Sequence, residues 1–419
     1  MTRVALFFLL ALLFGCDETA DRRTTLDFWA FGREGEAVQG LIAAFEQEYP
    51  EIRVRVQQIP WSAAHEKLLT AFAGASMPDL FQLGNTWLPE FVALGAVADL
   101  GPWIGNDPDM GGNAFFAGVA ATNVIDGVAY GVPWYVDTRL VFYRRDILKQ
   151  AGYATFPETW SRWREAMRRV KEIVGPERYA IFLPIDEWTT PTILAMQLGA
   201  PLLRDGARFA AFDEPRFREA FRFYLEMFRD RLAPSAGGSQ IANLYQEFAN
   251  GYFAMFISGP WNIGELKQRW PGREDAWATA PMPGPDDDTA GVSLAGGASL
   301  VIHKGSAHKD AAWTLIRYLS GTERQVRFHA LTGDLPARRD AWRAAALVDD
   351  RQAQAFWQQL QHMVPTPKIP EWERIARSLG RYAEAVIRDE MTVDEALSSL
   401  DADVDRMLEK RRWLLSRKK

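Results

Sequence analysis

Residues 24–59, TTLDFWAFGREGEAVQGLIAAFEQEYPEIRVRVQQI, followed at 79–83 by DLFQL, decide the fold. Leu26, Phe28 and Ala30 alternate with polar neighbours, the period of a half-buried strand. Val38, Leu41, Ile42, Phe45 and Tyr49 then recur at helical spacing, and Pro50 stops the helix. Ile52, Val54 and Val56 make a second strand, a second helix runs from Ala63 to Ala73 and stops at Gly74, and Asp79 to Leu83 makes a third strand. This β-α-β-α-β order calls for a parallel sheet with helices on its faces.

Working outward, the pattern restarts. Tyr179 to Leu183 reads as a strand, Phe217, Ala220, Phe221, Tyr224 and Phe228 as one helix face, and Ala254 to Ile257 and Val301-Ile302 as further strands. Beyond Lys309 the chain reads as nearly all helical. Turn-rich joints separate the blocks at 127–133, 281–288, 296–297 and 332–336. Several joints, rather than one linker, imply that the chain crosses between two α/β lobes more than once.

Composition sets limits on function. The 419 residues carry 48 Lys+Arg, 54 Asp+Glu and one Cys, with a net charge of −6. A mild, dispersed acidity leaves no electrostatic footprint for nucleic acid. A lone Cys excludes intrachain disulfides, CxxC redox chemistry and a thiolate zinc cage. Sixteen Trp, 25 Phe and 11 Tyr make an aromatic-rich protein. At the N-terminus, Arg3 precedes an apolar run of 11 residues, Val4 to Phe14, then Gly15 and the single Cys16. The run is too short for a span and suits a signal-peptide h-region. Residues 1–15 are therefore expected to be a signal peptide, with 16–23 a polar leash.

Enzyme signatures are missing. No Ser sits in GxSxG, His65-Glu66-Lys67-Leu68-Leu69 lacks the second His of HExxH, and neither GxGxxG nor a P-loop occurs. Asp401, Asp403 and Asp405 mimic the start of a calcium loop, but Arg406 and Arg412 occupy its Gly and Glu positions, so no metal or cofactor is expected. The basic tail from Lys410 to Lys419 reads as a complement to a helix C-terminus rather than a lipid contact. A carboxylate pair for glycan hydrolysis, Glu34 with Asp137, stays open, because the deciding distance is spatial.

Polar and aromatic residues gather just past the expected strand ends: Trp29, Phe31, Arg33 and Glu34, then Trp61 and His65, then Asn85 and Trp87. In open α/β sheets ligands bind there. Pro133 to Arg139, Trp261 and Gly296-Gly297 add rings, charges and bare backbone. Sugars need this mixture, since indoles and phenols cover a pyranose C–H face while carboxylates, amides and guanidinium groups take its hydroxyls.

Four segments carry a more specific resemblance: Thr25 to Asp99; GVAYGVPWYVDTRLVFYRRDILK at 127–149; FANGYFAMFISGPWNIGEL from 248, continuing to APMPGP at 280–285; and GGASLVIHKGSAHKDAAWTLIRYLSG from 296, continuing to TGDLP at 332–336. Pro157-Glu158-Thr159-Trp160 adds a helix opener. In this order they resemble the family 1 extracellular solute-binding proteins of bacterial ABC importers, the maltose-binding-protein type. Cys16 behind Leu13-Phe14-Gly15 likewise resembles a lipobox, and Asp17 an inner-membrane retention signal, which together imply a lipid-anchored periplasmic protein.

The resemblance implies a two-lobed type II periplasmic-binding-protein fold, each lobe a mostly parallel sheet flanked by helices, with hinge crossovers near 136–139, 295–298 and 332–336. Expected bounds are 24–136 and 298–334 for lobe 1, and 137–297 and 335–419 for lobe 2. It implies a non-enzymatic monomer that closes on a sugar and docks on a membrane permease. The sugar expected is a di- or oligosaccharide, an α-glucoside of maltose or trehalose type favoured, with a polyol phosphate such as glycerol-phosphate as the alternative. Tyr135, Asp137, Trp261, Gly296 and Gly297 match positions that line the family's sugar site. Glu34, Asn85 and Trp87 match by strand-end location, and Arg33, His65, Arg139, Trp188 and Trp372 form a second rank. Competing readings exist: Asp137 as a hinge ion pair with Arg139 or Arg144, Trp261 as a cap on a core, Trp87 and Trp134 as packing residues, Arg33 as a solvated charge and His65 as a helix-face polar residue.

Overall fold

The computed structural model describes residues 23–111, 113–241 and 243–417. The expected leader, Cys16 and most of the leash lie outside the described residues. Among the described residues no helix is long and apolar enough to cross a membrane.

The opening stretch folds as its periodicity demands. Strand β1 (Thr24–Phe31) buries Leu26, Phe28 and Ala30, and β2 (Ile52–Ile59) pairs parallel to it over its full length. Between them lie α1 (Gly32–Ala37) and α2 (Gln39–Glu48), whose stripe of Val38, Leu41, Ile42 and Phe45 is sealed in the core. Helix α3 (Trp61–Ala73) ends at Gly74 and leads to β3 (Leu80–Gly84), parallel to β1.

Two further segments complete this sheet. Strand β4 (Val132–Asp137) begins within the last two residues of the joint read at 127–133 and runs on into the expected first crossing. Its first five residues are buried, so it carries no alternation to betray it. The chain then crosses: only Thr138 and Arg139 separate β4 from β5 (Leu140–Arg144), the central strand of a second sheet. There β5 lies between β6 (Met255–Ser258) and β7 (Trp277–Ala280), antiparallel to both. Strand β8 (Gly296–Ile302) returns to the first sheet and β9 (Leu335–Pro336) joins its edge, giving the order β9-β4-β8-β3-β1-β2.

The expectation of mostly parallel sheets needs correcting in detail. Parallel pairing holds for β1 to β3, whereas β8 runs antiparallel to β3 and β4 because it enters from the other lobe. The expected strand at Tyr179–Leu183 forms only parallel bridges, Tyr179 to Phe253 and Phe182 to Phe256. Gly296 pairs with Asp137 and Leu335 with Val136, so the three crossings lie side by side at one end of β4. Leu335 and Pro336 thus still belong to the first sheet, and Arg338 bridges to Phe115. The lobe division we propose therefore assigns 335–338 to the first lobe, so that the third passage to the second lobe leaves from this edge strand rather than at 334/335.

Candidate functional site

A cleft of about 590 Å³ opens where the crossings meet the ends of β1, β3 and β4, and its lining mixes Trp and Tyr rings with charged, amide and hydroxyl groups. On the first lobe's side a chain of hydrogen bonds sets the wall. The Gln82 side-chain carbonyl accepts from the Phe31 amide at 2.7 Å, and its Nε2 donates to the Tyr135 hydroxyl at 3.1 Å. Tyr135 donates to Glu34 Oε1 at 2.7 Å, and the Trp61 indole donates to the same oxygen at 3.0 Å. Burial, then the neighbouring Glu34 carboxylate, raises the Tyr135 phenol well above its ordinary value, so the phenol remains a donor.

Trp61 is held edge-on to Phe31 at 5.0 Å and to Trp87 at 5.7 Å. Two glycines make room for this cluster. A Cβ on Gly32, at φ +49°, would lie 2.6 Å from the Trp61 ring, and one on Gly84 would lie 3.2 Å from Trp87. Beside them Asn85 accepts from the Ser299 hydroxyl at 2.9 Å. Its buried Nδ2 donor and the Thr138 hydroxyl have no partner among the described residues. Both residues line the cleft, where a ligand's hydroxyl oxygens could satisfy them.

The crossings supply the charges. Arg139 pairs with Asp137 at 2.5 Å and lies over the Trp261 ring at 4.9 Å, linking a hinge residue to a second-lobe indole. Gly259, just before Pro260 and Trp261, is the spacer: a Cβ there would lie within 2.0 Å of the indole and 2.7 Å of Asp137 Oδ1. Burial raises the Asp137 carboxyl, with Arg139 opposing. Asp334, in the loop just before β9, is less fully relieved, by a Thr332 hydrogen bond and the Arg33 charge. Burial first, and then Glu34, push its carboxyl up to about 8.

The structure brings most of the expected residues together. Glu34, Asn85, Trp87 and Tyr135 line the first-lobe wall; Asp137, Arg139, Gly296 and Gly297 line the hinge; Arg33, Trp188 and Trp261 line the remainder. Two residues need correcting. His65 does not line the cleft; it pairs with Glu90 at 2.7 Å and packs edge-on behind Trp87. Trp372 is fully buried in the second lobe's core, where its ring stands edge-on against Trp188 at 5.6 Å. An apolar stripe of Ile375, Ala376 and Leu379 follows it on one helix, a pattern that marks a core position. Trp134 is likewise core, stacked on Phe328 at 4.5 Å.

Sequence reading passed over Gln82, Asp334, Tyr245 and Glu265. Asp334 sits in the TGDLP joint already singled out, so the signal was present. Gln82 carried one too, as a polar residue inside an otherwise apolar strand.

Comparison with known proteins bears on the family and the fold. A family profile described as "Bacterial extracellular solute-binding protein" matches residues 31–326. The structure of the sugar-binding protein MalE from the phytopathogen Xanthomonas citri is 47% identical with a TM-score of 0.90, covering 94% of this chain and 99% of that one. The GacH receptor of Streptomyces glaucescens shares the fold at 24% identity and a TM-score of 0.79, over 93% of this chain and 99% of its own. The diacetylchitobiose binding protein DasA of Streptomyces coelicolor is 24% identical over 378 residues, 89% of this chain and 87% of that protein.

Proposed function

The chain belongs to the bacterial extracellular solute-binding proteins, and from that premise we propose that it captures a di- or oligosaccharide, an α-glucoside of maltose or trehalose type, between its lobes. It is the sugar-binding component of an ABC importer and carries out no chemistry on its cargo. One observation carries the sugar assignment: the Trp61, Trp87 and Trp261 rings share a cleft with Glu34, Asp137, Arg139 and the unpartnered Asn85 amide. Rings supply apolar cover for pyranose faces, while the polar groups take vicinal hydroxyls in paired hydrogen bonds. A cleft of about 590 Å³ suits a ligand of a few sugar units.

A polyol phosphate fits the lining less well. Arg33 and Arg139 face the acids Glu34, Asp137 and Glu265, beside a protonated Asp334, and Arg139 is already engaged by Asp137. A dianion would meet net repulsion there.

In the capture mechanism, a sugar first lies against the first-lobe wall of Tyr135 and Glu34. Closure about the three crossings then brings Trp261 and Trp188 onto its far side, and the closed form docks on the permease. The ligand favours closure only to the extent that it binds the closed form more tightly. Anchoring through an acylated Cys16 at the periplasmic face of the inner membrane, and a monomeric state, complete the proposal.

The test is a thermal-shift screen of residues 24–419 against monosaccharides, maltose, trehalose, longer glucosides, other oligosaccharides and glycerol-phosphate. A ligand that binds only the folded state raises stability by RT ln(1 + [L]/Kd). Upward shifts confined to α-glucosides are expected. A shift confined to glycerol-phosphate, or to non-glucoside sugars, would overturn the substrate assignment.

A further inference from the structure

The C-terminal helix Glu409–Arg417 turns its apolar residues the wrong way. Lys410, Trp413, Leu414 and Arg417 recur at i, i+3, i+4 and i+7, one helix face, and all four are exposed. Trp413 is 52% exposed and Leu414 46%. A surface helix ordinarily buries such a stripe and shows its charges to water. Here the charges turn inward instead. Arg411 Nε donates to the Ala207 carbonyl and Arg412 Nη1 to the Arg208 carbonyl, each at 3.0 Å.

Both acceptors belong to the hairpin formed by Leu203–Arg204 and Phe209–Ala210, about 200 residues earlier in the chain. Its Phe209 ring is covered by the Arg412 guanidinium at 4.9 Å and by that of Arg204 at 5.0 Å. Arg411 and Arg412 are thus engaged by the hairpin, while Lys410 and Arg417 stay exposed beside Trp413 and Leu414. The acids nearby are Asp205, 3.5 Å from Arg204; Glu409; and Asp405, whose carboxylate is engaged by the Ala210 amide. On a chain of net charge −6, the exposed face of this helix therefore carries two cations, Lys410 and Arg417, beside an exposed indole and leucine. Arg411 and Arg412 do not cap their own helix, so the expectation that this tail serves a helix terminus leaves the face unexplained.

We propose that this face docks on an anionic phospholipid surface. Exposed Trp and Leu flanked by Lys and Arg on one helix face are what an interfacial helix presents to headgroups. The indole suits the headgroup boundary, and Arg417, 3.9 Å from the Trp413 ring centroid, places a cation beside it for a phosphate. The sign of the face matches anionic lipid. The face lies on the C-terminal helix, away from the residues lining the sugar cleft, so the proposal does not depend on which sugar is bound.

The experiment uses residues 24–419, which hold every strand and helix described here, free of any lipid at Cys16. Protein is co-sedimented with vesicles of phosphatidylglycerol and phosphatidylcholine, or of phosphatidylcholine alone. Binding is expected to be at least about fivefold greater on the anionic vesicles and to fall severalfold as NaCl rises from about 50 to 500 mM. Lys410→Glu with Arg417→Glu is expected to abolish it, and Trp413→Ala with Leu414→Ala to weaken it severalfold, both with parental melting temperature and sugar affinity. Equal binding to both vesicle types, binding to neither, or undiminished binding by the charge-reversed variant would overturn the proposal. So would loss of binding by these variants to a purified permease complex when vesicles bind neither parent nor variant, which would assign the face to a protein partner.

Discussion

Trp261 and Trp372 are both tryptophans that open a helix, yet their surroundings give them opposite roles. Trp261 is 37% exposed in the cleft wall beneath the Arg139 guanidinium, whereas Trp372 is fully buried. Trp261→Ala is therefore expected to weaken sugar binding by about 1–3 kcal/mol, as for one stacked hot-spot ring, with little change in the apo melting temperature. Trp372→Ala is expected to cost about 3–5 kcal/mol of folding stability through the cavity it leaves. Calorimetric titration and urea unfolding of both variants separate the two, and a Trp261 variant that lost equal stability would make that ring core. Asp334 gives a pH test. Its carboxyl, pushed up to about 8, keeps a proton that the unfolded chain releases near pH 4. Its contribution is complete below about pH 4 and declines as pH rises toward 8, since the folded state binds the extra proton. Asp334→Asn should accordingly gain melting temperature over the parent progressively from pH 5 to 8, with the gap level above about pH 9. A gap independent of pH would show that Asp334 is ionised in the fold.

At the scale of the element, β8 serves as both sheet strand and hinge. Gly297 lies at φ +119°, outside the range of ordinary L-residues, and an added Cβ would sit 2.3 Å from the Tyr135 carbonyl oxygen. Gly297→Ala is expected to destabilise the fold by at least about 1–3 kcal/mol and to weaken sugar binding too, because β4 carries Tyr135 and Asp137 beside it. Parental values for both stability and affinity would show that the crossing relaxes freely. Elements also explain which expectations failed. The β4 segment Val132–Asp137 does not read as a strand because its first five residues are buried and show no alternation. Tyr179 to Leu183 read as a strand because it is apolar, but only two of its residues form bridges, both with the segment that leads into and through β6.

Across the whole molecule, the three crossings at one end of β4 form a single bending region beneath the cleft. Thr138 and Arg139 alone join the two sheets at the first crossing, so rotation there moves Arg139 and the Trp261 ring it covers relative to the Tyr135 wall. Saturating sugar is expected to reduce the radius of gyration measured by small-angle scattering, while a non-binding sugar leaves it unchanged. Binding without compaction would mean that the cleft accepts its ligand without closing.

Local pattern was enough to establish the α/β class, the first three strands with their helices, the repeated crossing of the chain, and a ring-and-carboxylate site at the strand ends. Each of these follows from periodicity, turn residues and residue chemistry, which act over a few neighbours. Long-range placement decided the rest. Whether Trp134, Trp261 and Trp372 became core or cleft depended on which elements covered them, and a tryptophan's own neighbours say little about that. The hydrogen-bonded chain from Gln82 through Tyr135 to Glu34 joins residues 101 positions apart at its ends' widest link. Asp334 owes its retained proton first to burial and then to the Glu34 carboxylate, brought beside it from a distant segment. Burial and electrostatics act through space, so they became legible only once the strands had been set side by side.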